Sequence, residues 1–216
     1  MTERVLITGF EPFDGEYVNP SLEVLKPLSG WRPRGGVHVH TLKLPCVFGD
    51  ALSVLDEGLH QLKPMLVLGL GQAASRSEIS VERIAINVDD ARIPDNAGRQ
   101  PIDQAVVPGG PAAYFSTLPI KAIVTALREA GIPAGVSQTA GTFVCNHVFY
   151  GLMHRLAAQH STARAGFLHL PCLPEQTSAG QGSAMSLETM VRGLRLAVET
   201  ALSTATDLRV PGGALE

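Results

Sequence analysis

Short apolar segments alternate along the chain with longer segments in which apolar residues recur every three or four positions. The apolar segments are typical of buried strands and lie at 5–8, 37–44, 65–68, 79–88, 167–170 and from 136 onward. The helical periodicity covers 51–62, 120–130, 144–158 and 187–202, and Asn19-Pro20-Ser21 has the capping residues that open a short helix. Strands separated by helices predict a three-layer α/β/α sandwich with a largely parallel, mixed central sheet.

Residues 93–119 interrupt this alternation. They are rich in Pro and Gly and too long for a simple connection, so they form either a functional loop or a hairpin over the site. No repeat or linker divides the chain, and we therefore expect a single domain over residues 1–216, with its site at the carboxyl ends of the strands.

The composition excludes several classes of protein. The chain has 216 residues, of which 45% are hydrophobic and 17% charged, with a formal net charge of −3, which argues against disorder and against a nucleic-acid partner. No apolar run reaches the roughly 18 residues of a membrane span, and no signal peptide is visible. Three widely spaced cysteines form neither a disulfide framework nor a C-x-x-C motif. We expect reduced thiols and a cytoplasmic protein without membrane contacts.

One glycine-rich segment imitates a nucleotide-binding motif. Gly69-Leu70-Gly71-Gln72-Ala73-Ala74 fits G-x-G-x-x-A, and Asp89 and Asp90 follow about 20 residues later. That motif needs a helix directly after it, but residues 75–78 lead straight into the next strand-like segment. We therefore expect a tight strand exit, at which glycine lets the backbone approach another group closely, rather than a nicotinamide site.

Cys145 is the candidate nucleophile. It lies at a strand-to-helix transition, where a helix N-terminus favours the thiolate and offers N–H groups to an oxyanion. A thiol packed under the helix is the alternative, and position alone leaves both open. Cys46 and Cys172 each follow Leu-Pro at a strand end, and we interpret both as structural.

A base and an acid accompany this thiol. His169 is a polar ring in an apolar strand, so it is either a satisfied core histidine or a catalytic one. Glu82 lies in a strand with two apolar faces, where a carboxylate needs a partner, and Arg83 points to the opposite face. An imidazole is a better partner for Glu82 than Arg83 is. A thiol, an imidazole and a carboxylate together are the groups of a catalytic triad. The other histidines are interpreted as surface or core residues.

Five segments of the chain resemble the pyrrolidone-carboxyl peptidase (pyroglutamyl peptidase I) family, a family of cytosolic cysteine peptidases. The similarity extends over nearly the whole chain and is carried by residues 8–14 with 19–21, 71–87, 89–96, 137–146 with Tyr150, and 167–176. One departure is Cys172, where a bulkier side chain is expected.

The resemblance implies removal of an N-terminal pyroglutamyl residue from peptides through a thioester. Cys145 is then the nucleophile, His169 the base and acid, and Glu82 the group that orients His169. No metal or organic cofactor is needed. The family also implies a homotetramer.

The resemblance also implies a lactam pocket that is apolar with a few fixed polar groups. Phe10 and Phe13 would sandwich the ring, and Arg92 would help to stabilise the oxyanion. Asn19 either contacts the site or only caps its helix. The remaining residues expected at the pocket are Gln72, Phe143 and Val144.

Overall fold

Six strands form the central sheet of the protein. In the computed structural model, which describes residues 3–177 and 184–214, they are β1 (Arg4–Phe10), β2 (His38–Leu44), β3 (Leu66–Gln72), β4 (Ile79–Glu82), β7 (Ala134–Ser137) and β8 (Arg164–Leu170). Their order is β2-β1-β3-β8-β4-β7. Neighbouring strands are parallel except β4 and β8, which are antiparallel. The predicted mixed, largely parallel sheet is confirmed.

Helices cover both faces of this sheet. They are α1 (Pro20–Glu23), α2 (Leu25–Leu28), α3 (Asp50–Leu62), α4 (Ile120–Glu129), α5 (Val144–Ala158) and α6 (Leu187–Ser203). One core contains residues of α3 and α5, and the other contains residues of α1, α2, α4 and α6. Within β1, Val5 and Ile7 belong to one core and Leu6 to the other, as the twofold alternation of a strand requires.

The predicted strand at 79–88 is two strands in two sheets. Ile79–Glu82 stays in the central sheet as β4, whereas β5 (Ile84–Ile86) pairs antiparallel with β6 (Ala113–Phe115). The break falls at Arg83, whose carbonyl accepts from Ser116 N–H at 2.9 Å. Apolar residues recur on both sides of Arg83, so the sequence gives no sign of this change of partner. Part of the 93–119 segment is therefore the hairpin-like partner of β5.

The glycine-rich segment lies inside a strand rather than at its exit. β3 continues through Gly69 and Gly71 to Gln72. The space that a side chain would need is filled by the ring of Phe167 at Gly69, and by the thiol of Cys145 and the same ring at Gly71. Residues 73–78, all of them described, form no helix, as predicted for this segment. Among the described residues, no helix is both long and apolar enough to span a membrane.

Candidate active site

Strand register brings His169 and Glu82 together. His169 on β8 is paired with Gly71 on β3 and with Ser80 on β4, so Glu82, two residues beyond Ser80, projects from the same face of the sheet. His169 Nδ1 donates to Glu82 Oε1 at 2.7 Å. Because a carboxylate accepts here, Nδ1 carries the ring proton and Nε2 is left free to act as a base.

The structure places Cys145 on this same face. A Cβ atom added at Gly71 would lie only 2.7 Å from Cys145 Sγ. Since Gly71 and His169 are register partners, their side-chain directions are shared, and the thiol therefore faces the strand pair that carries His169. Phe167, whose ring centroid is 5.1 Å from that of His169, packs beside them.

The surroundings of Cys145 oppose the thiolate. Burial is the largest cause that raises the pKa of the Cys145 thiol above its usual value, and the charges of Cys46 and Glu82 raise it further, while Arg76 lowers it. Burial and these neighbouring charges therefore act against the effect expected from the start of α5. A protonated thiol must lose its proton to a base during the reaction.

Glu82 has a second partner that sequence reasoning missed. Arg76 Nη1 lies 2.6 Å from Glu82 Oε1, the oxygen that also accepts from His169, and Arg76 Nη2 donates to Thr139 O at 2.9 Å. Glu82 is 0% exposed, and its Oε2 has no hydrogen-bond partner among the described residues. As expected, Arg83 points elsewhere, and it donates to Gln138 and to the carbonyl of Gly212.

The first turn of α5 is anchored from two sides. Asn146 is buried, and its side chain accepts from Ile86 N–H at 3.0 Å and donates to Ile86 O at 2.9 Å. His147 Nε2 accepts from Gly49 N–H at 3.0 Å, so Nδ1 carries the proton and donates to Asp89 at 2.8 Å. His147 was interpreted as a surface or core residue. The structure shows that it ties the loop before α3 to the turn that carries Cys145.

An aromatic cluster lies beside the nucleophile. Phe13 and Phe143 have ring centroids 6.0 Å apart, and Phe48 meets Phe143 edge-on at 5.4 Å. Phe10 instead lies in the core, where it is 2% exposed and packs against Phe167. Phe143 thus lies two residues before Cys145 in the chain with Phe13 packed against it, whereas Phe10 lies beneath the surface.

The polar residues expected at the pocket have different surroundings. Asn19 is the N-cap of α1, where its Oδ1 accepts from Ser21 N–H at 3.0 Å. Gln72 Nε2 lies 3.5 Å from Cys172 Sγ, while its Oε1 is buried without a partner among the described residues. Arg92 is exposed, and Val144 is fully buried in the first turn of α5.

Arg92 lies on a segment that is attached to the loop before Cys145. Asp90 N–H donates to Thr142 O at 3.0 Å, and Thr142 Oγ1 donates to Asp90 O at 2.7 Å. These two bonds hold residues 89–92 against the start of α5, at the same edge of the site as the nucleophile.

A cavity of about 740 Å³ lies elsewhere on the molecule. Its lining comes from the last turns of α3 and α5 and the residues that follow them, next to the amino ends of β3 and β8. The triad candidates lie at the carboxyl ends of these strands, so this cavity is not part of the candidate site.

The chain matches known proteins along most of its length. A family model described as pyroglutamyl peptidase matches residues 3–204. The chain is 61% identical to the pyrrolidone-carboxylate peptidase of Cupriavidus taiwanensis over 98% of both chains, and 57% identical to that of Escherichia fergusonii over 98% of this chain and 99% of the relative.

Solved structures agree with these matches. The structure of pyroglutamyl peptidase I from Bacillus amyloliquefaciens aligns with a TM-score of 0.94 at 45% identity, over 98% of this chain and 100% of that one. Pyrrolidone carboxyl peptidase from Thermococcus litoralis aligns with a TM-score of 0.93 at 39% identity, over 97% of this chain and 100% of that one. This chain belongs to the pyroglutamyl peptidase family.

Proposed function

We propose that Cys145, His169 and Glu82 are the catalytic triad with which this cysteine peptidase removes the N-terminal pyroglutamyl residue from peptides. The observation that carries the proposal is the buried hydrogen bond of 2.7 Å between His169 Nδ1 and Glu82 Oε1, on the face of the sheet toward which Cys145 Sγ points. A nucleophile, a base and a group that orients the base are the three parts of a covalent acyl-transfer site.

The first half of the reaction forms a thioester. His169 Nε2 takes the proton of the Cys145 thiol as Sγ attacks the pyroglutamyl carbonyl carbon, and the carbonyl oxygen becomes an oxyanion. Phe143 supplies no side-chain cap to α5, so the first N–H groups of this helix are available to the oxyanion. We propose that Arg92 assists them. His169 then donates its proton to the departing amine as the C–N bond breaks.

The second half hydrolyses the thioester. His169 takes a proton from water, the resulting hydroxide oxygen attacks the thioester carbon, and the C–S bond breaks. The proton returns to Sγ, which restores the thiol and releases free pyroglutamate. In both halves, Glu82 accepts from Nδ1–H and stabilises the imidazolium that forms.

The pocket for the lactam is proposed at the aromatic cluster. Phe13 and Phe143 offer flat apolar surfaces beside Cys145, which suit the two faces of a neutral ring. We place Val144 beside them and Phe10 beneath them. Gln72 supplies the polar contact, because its unpartnered Oε1 is an acceptor that a lactam N–H can satisfy. Asn19 contributes by capping α1, which fixes the loop that carries Phe13.

The test is release of a chromophore from a pyroglutamyl amide, before and after thiol alkylation. We expect activity in the wild type and a loss of at least about a thousandfold in Cys145→Ala and Cys145→Ser. Cys46→Ala is the matched control, because it removes a neighbouring thiol outside the triad, and it should keep turnover. Full activity in Cys145→Ala would refute the mechanism.

A second variant tests the carboxylate. Glu82→Gln keeps the size of the side chain but cannot stabilise the imidazolium by charge, so kcat should fall more than KM rises. An unchanged kcat would reduce Glu82 to a structural residue.

The state of the protein in the cell is also a proposal. The three free cysteines support a cytoplasmic location. The family resemblance supports a homotetramer. Light scattering on the purified protein would give its mass directly, and a monomer at micromolar concentration would refute the tetramer.

A further inference from the structure

We propose that Arg76 is a positioning residue of the reaction: its guanidinium shares the carboxylate of Glu82 with His169 and limits how strongly Glu82 holds His169 in its protonated form. This inference rests on the triad proposed above and adds a fourth side chain to it. Arg76 touches neither the thiol nor the base in the described contacts; it contacts Glu82 directly, and its charge reaches Cys145 only at a distance.

The geometry assigns this position to Arg76. Its Nη1 and His169 Nδ1 share one carboxylate oxygen, Glu82 Oε1, at 2.6 and 2.7 Å. Glu82 is 0% exposed and its other oxygen has no partner among the described residues. A carboxylate in such a place is costly unless a cation accompanies it, and a neutral imidazole N–H supplies no charge.

The charged and titratable groups that act on Cys145 come from several elements. Glu82, which also contacts His169, lies on β4, Cys46 lies in the loop after β2, and Arg76 lies in the loop between β3 and β4. Arg76 is the cation of this set. Glu82 alone favours the imidazolium, and a guanidinium on the same oxygen withdraws part of that stabilisation. Removing this guanidinium should therefore strengthen the hold of Glu82 on the imidazolium.

A purely mechanical role is the competing explanation. Arg76 Nη2 also holds Thr139 O, in the loop that leads to Cys145, so losing Arg76 would loosen that loop. Arg83 provides a matched control, since its Nε donates to the side chain of the adjacent Gln138 at 2.8 Å and its Nη2 donates to Gly212 O at 2.7 Å. It ties the same loop without contacting Glu82 in the described structure.

The deciding experiment is the pH profile of kcat/KM on a pyroglutamyl amide, from pH 5 to 10, for Arg76→Gln, Arg76→Lys and Arg83→Gln. We expect Arg76→Gln to move the acidic limb to higher pH by about one unit and to lower kcat/KM on that limb by up to about tenfold, with kcat affected more than KM. Arg76→Lys, which restores the charge, should return the limb to within about 0.3 units of wild type. Arg83→Gln should leave the limb in place.

Three results would overturn the proposal. They are an unshifted limb in Arg76→Gln, a limb shifted to lower pH, and an equal shift in Arg83→Gln. If Arg76→Gln does not fold, the double variant with Glu82→Gln decides, because removing both charges should restore folding, and a double variant that stays unfolded contradicts a counter-ion role. The activity of Cys145→Ala tests the triad separately. If Cys145→Ala is inactive and the pH profile of Arg76→Gln is unshifted, only the role of Arg76 is refuted.

Discussion

Replacing Gly71 with alanine perturbs the nucleophile through a single methyl group. The added Cβ would lie 2.7 Å from Cys145 Sγ and 3.0 Å from the nearest atom of the Phe167 ring, whereas ordinary contacts of this kind lie between 3.4 and 4 Å. Both neighbours must move. Phe167 belongs to the core beneath α5, where it also packs on Phe149, and it therefore has little room to yield.

The size of the effect follows from these distances. Relieving the contact at 2.7 Å requires a displacement of roughly 0.7 to 1.3 Å between Cβ and Sγ. A misplacement of about 1 Å in reacting groups costs on the order of a hundredfold in rate. Overpacking of a filled core costs about 1–3 kcal/mol of the free energy of unfolding. We therefore expect Gly71→Ala to fold with a lower melting temperature and to lose about a hundredfold in kcat.

Gly69→Ala is the matched control for this prediction. Its Cβ would lie 2.5 Å from Phe167 Cδ2, and no thiol atom is among its nearest neighbours. Thermal unfolding and steady-state kinetics on a pyroglutamyl amide should show a stability loss in both variants but a much larger loss of kcat in Gly71→Ala. Wild-type kcat in Gly71→Ala, or an equal loss in Gly69→Ala, would refute the inferred position of the thiol.

Two further predictions concern groups around the site. His147→Ala removes the bonds to Gly49 and Asp89 and leaves a buried carboxylate unpaired, so urea denaturation should show a loss of about 2–4 kcal/mol, and no loss would contradict the tie. Burial raises the pKa of Cys46 to about 12 from 9.0, with smaller contributions from Glu11 and Asp95. The folded protein favours the protonated thiol of Cys46. The contribution of this thiol to the free energy of unfolding is therefore complete below pH 9 and is lost as the pH rises toward 12. Cys46→Val should show a smaller loss over this range, and an identical pH dependence would contradict the assignment.

The sequence predicts those elements best whose burial pattern is long and one-sided. The helix expected at 187–202 is α6, Leu187–Ser203, because its buried residues, among them Met190, Leu194 and Ala197, recur every three or four positions. The segment 79–88 was predicted as one strand, and that prediction was wrong. Apolar residues continue across Arg83 while the hydrogen-bond partner changes from β7 to β6, and a change of partner leaves no mark in a one-dimensional pattern.

The residues of the candidate site also differ in how far the sequence predicts them. The His169–Glu82 contact could be inferred because each is a polar group in an apolar strand, which is costly without a partner. Arg76 could not, since an arginine in a polar loop is ordinary and its loop has no periodicity. The raised pKa of Cys145 depends on burial and on Cys46 and Glu82, which are distant in sequence. A prediction made only from the residues at the helix N-terminus cannot include the effects of Cys46 and Glu82.

The glycines of β3 show why a local motif does not determine chemistry. In a dinucleotide fold, glycines let a backbone approach a pyrophosphate at the start of a helix. Here Gly69 and Gly71 meet the same need for close approach, but the groups opposite them are Phe167 and the thiol of Cys145. The missing side chain at Gly71 makes room for the nucleophile beside the register partner of His169. Gly69 thus makes room for Phe167 and Gly71 for the thiol of Cys145, so the strand and helix that pack against a glycine decide which group it accommodates.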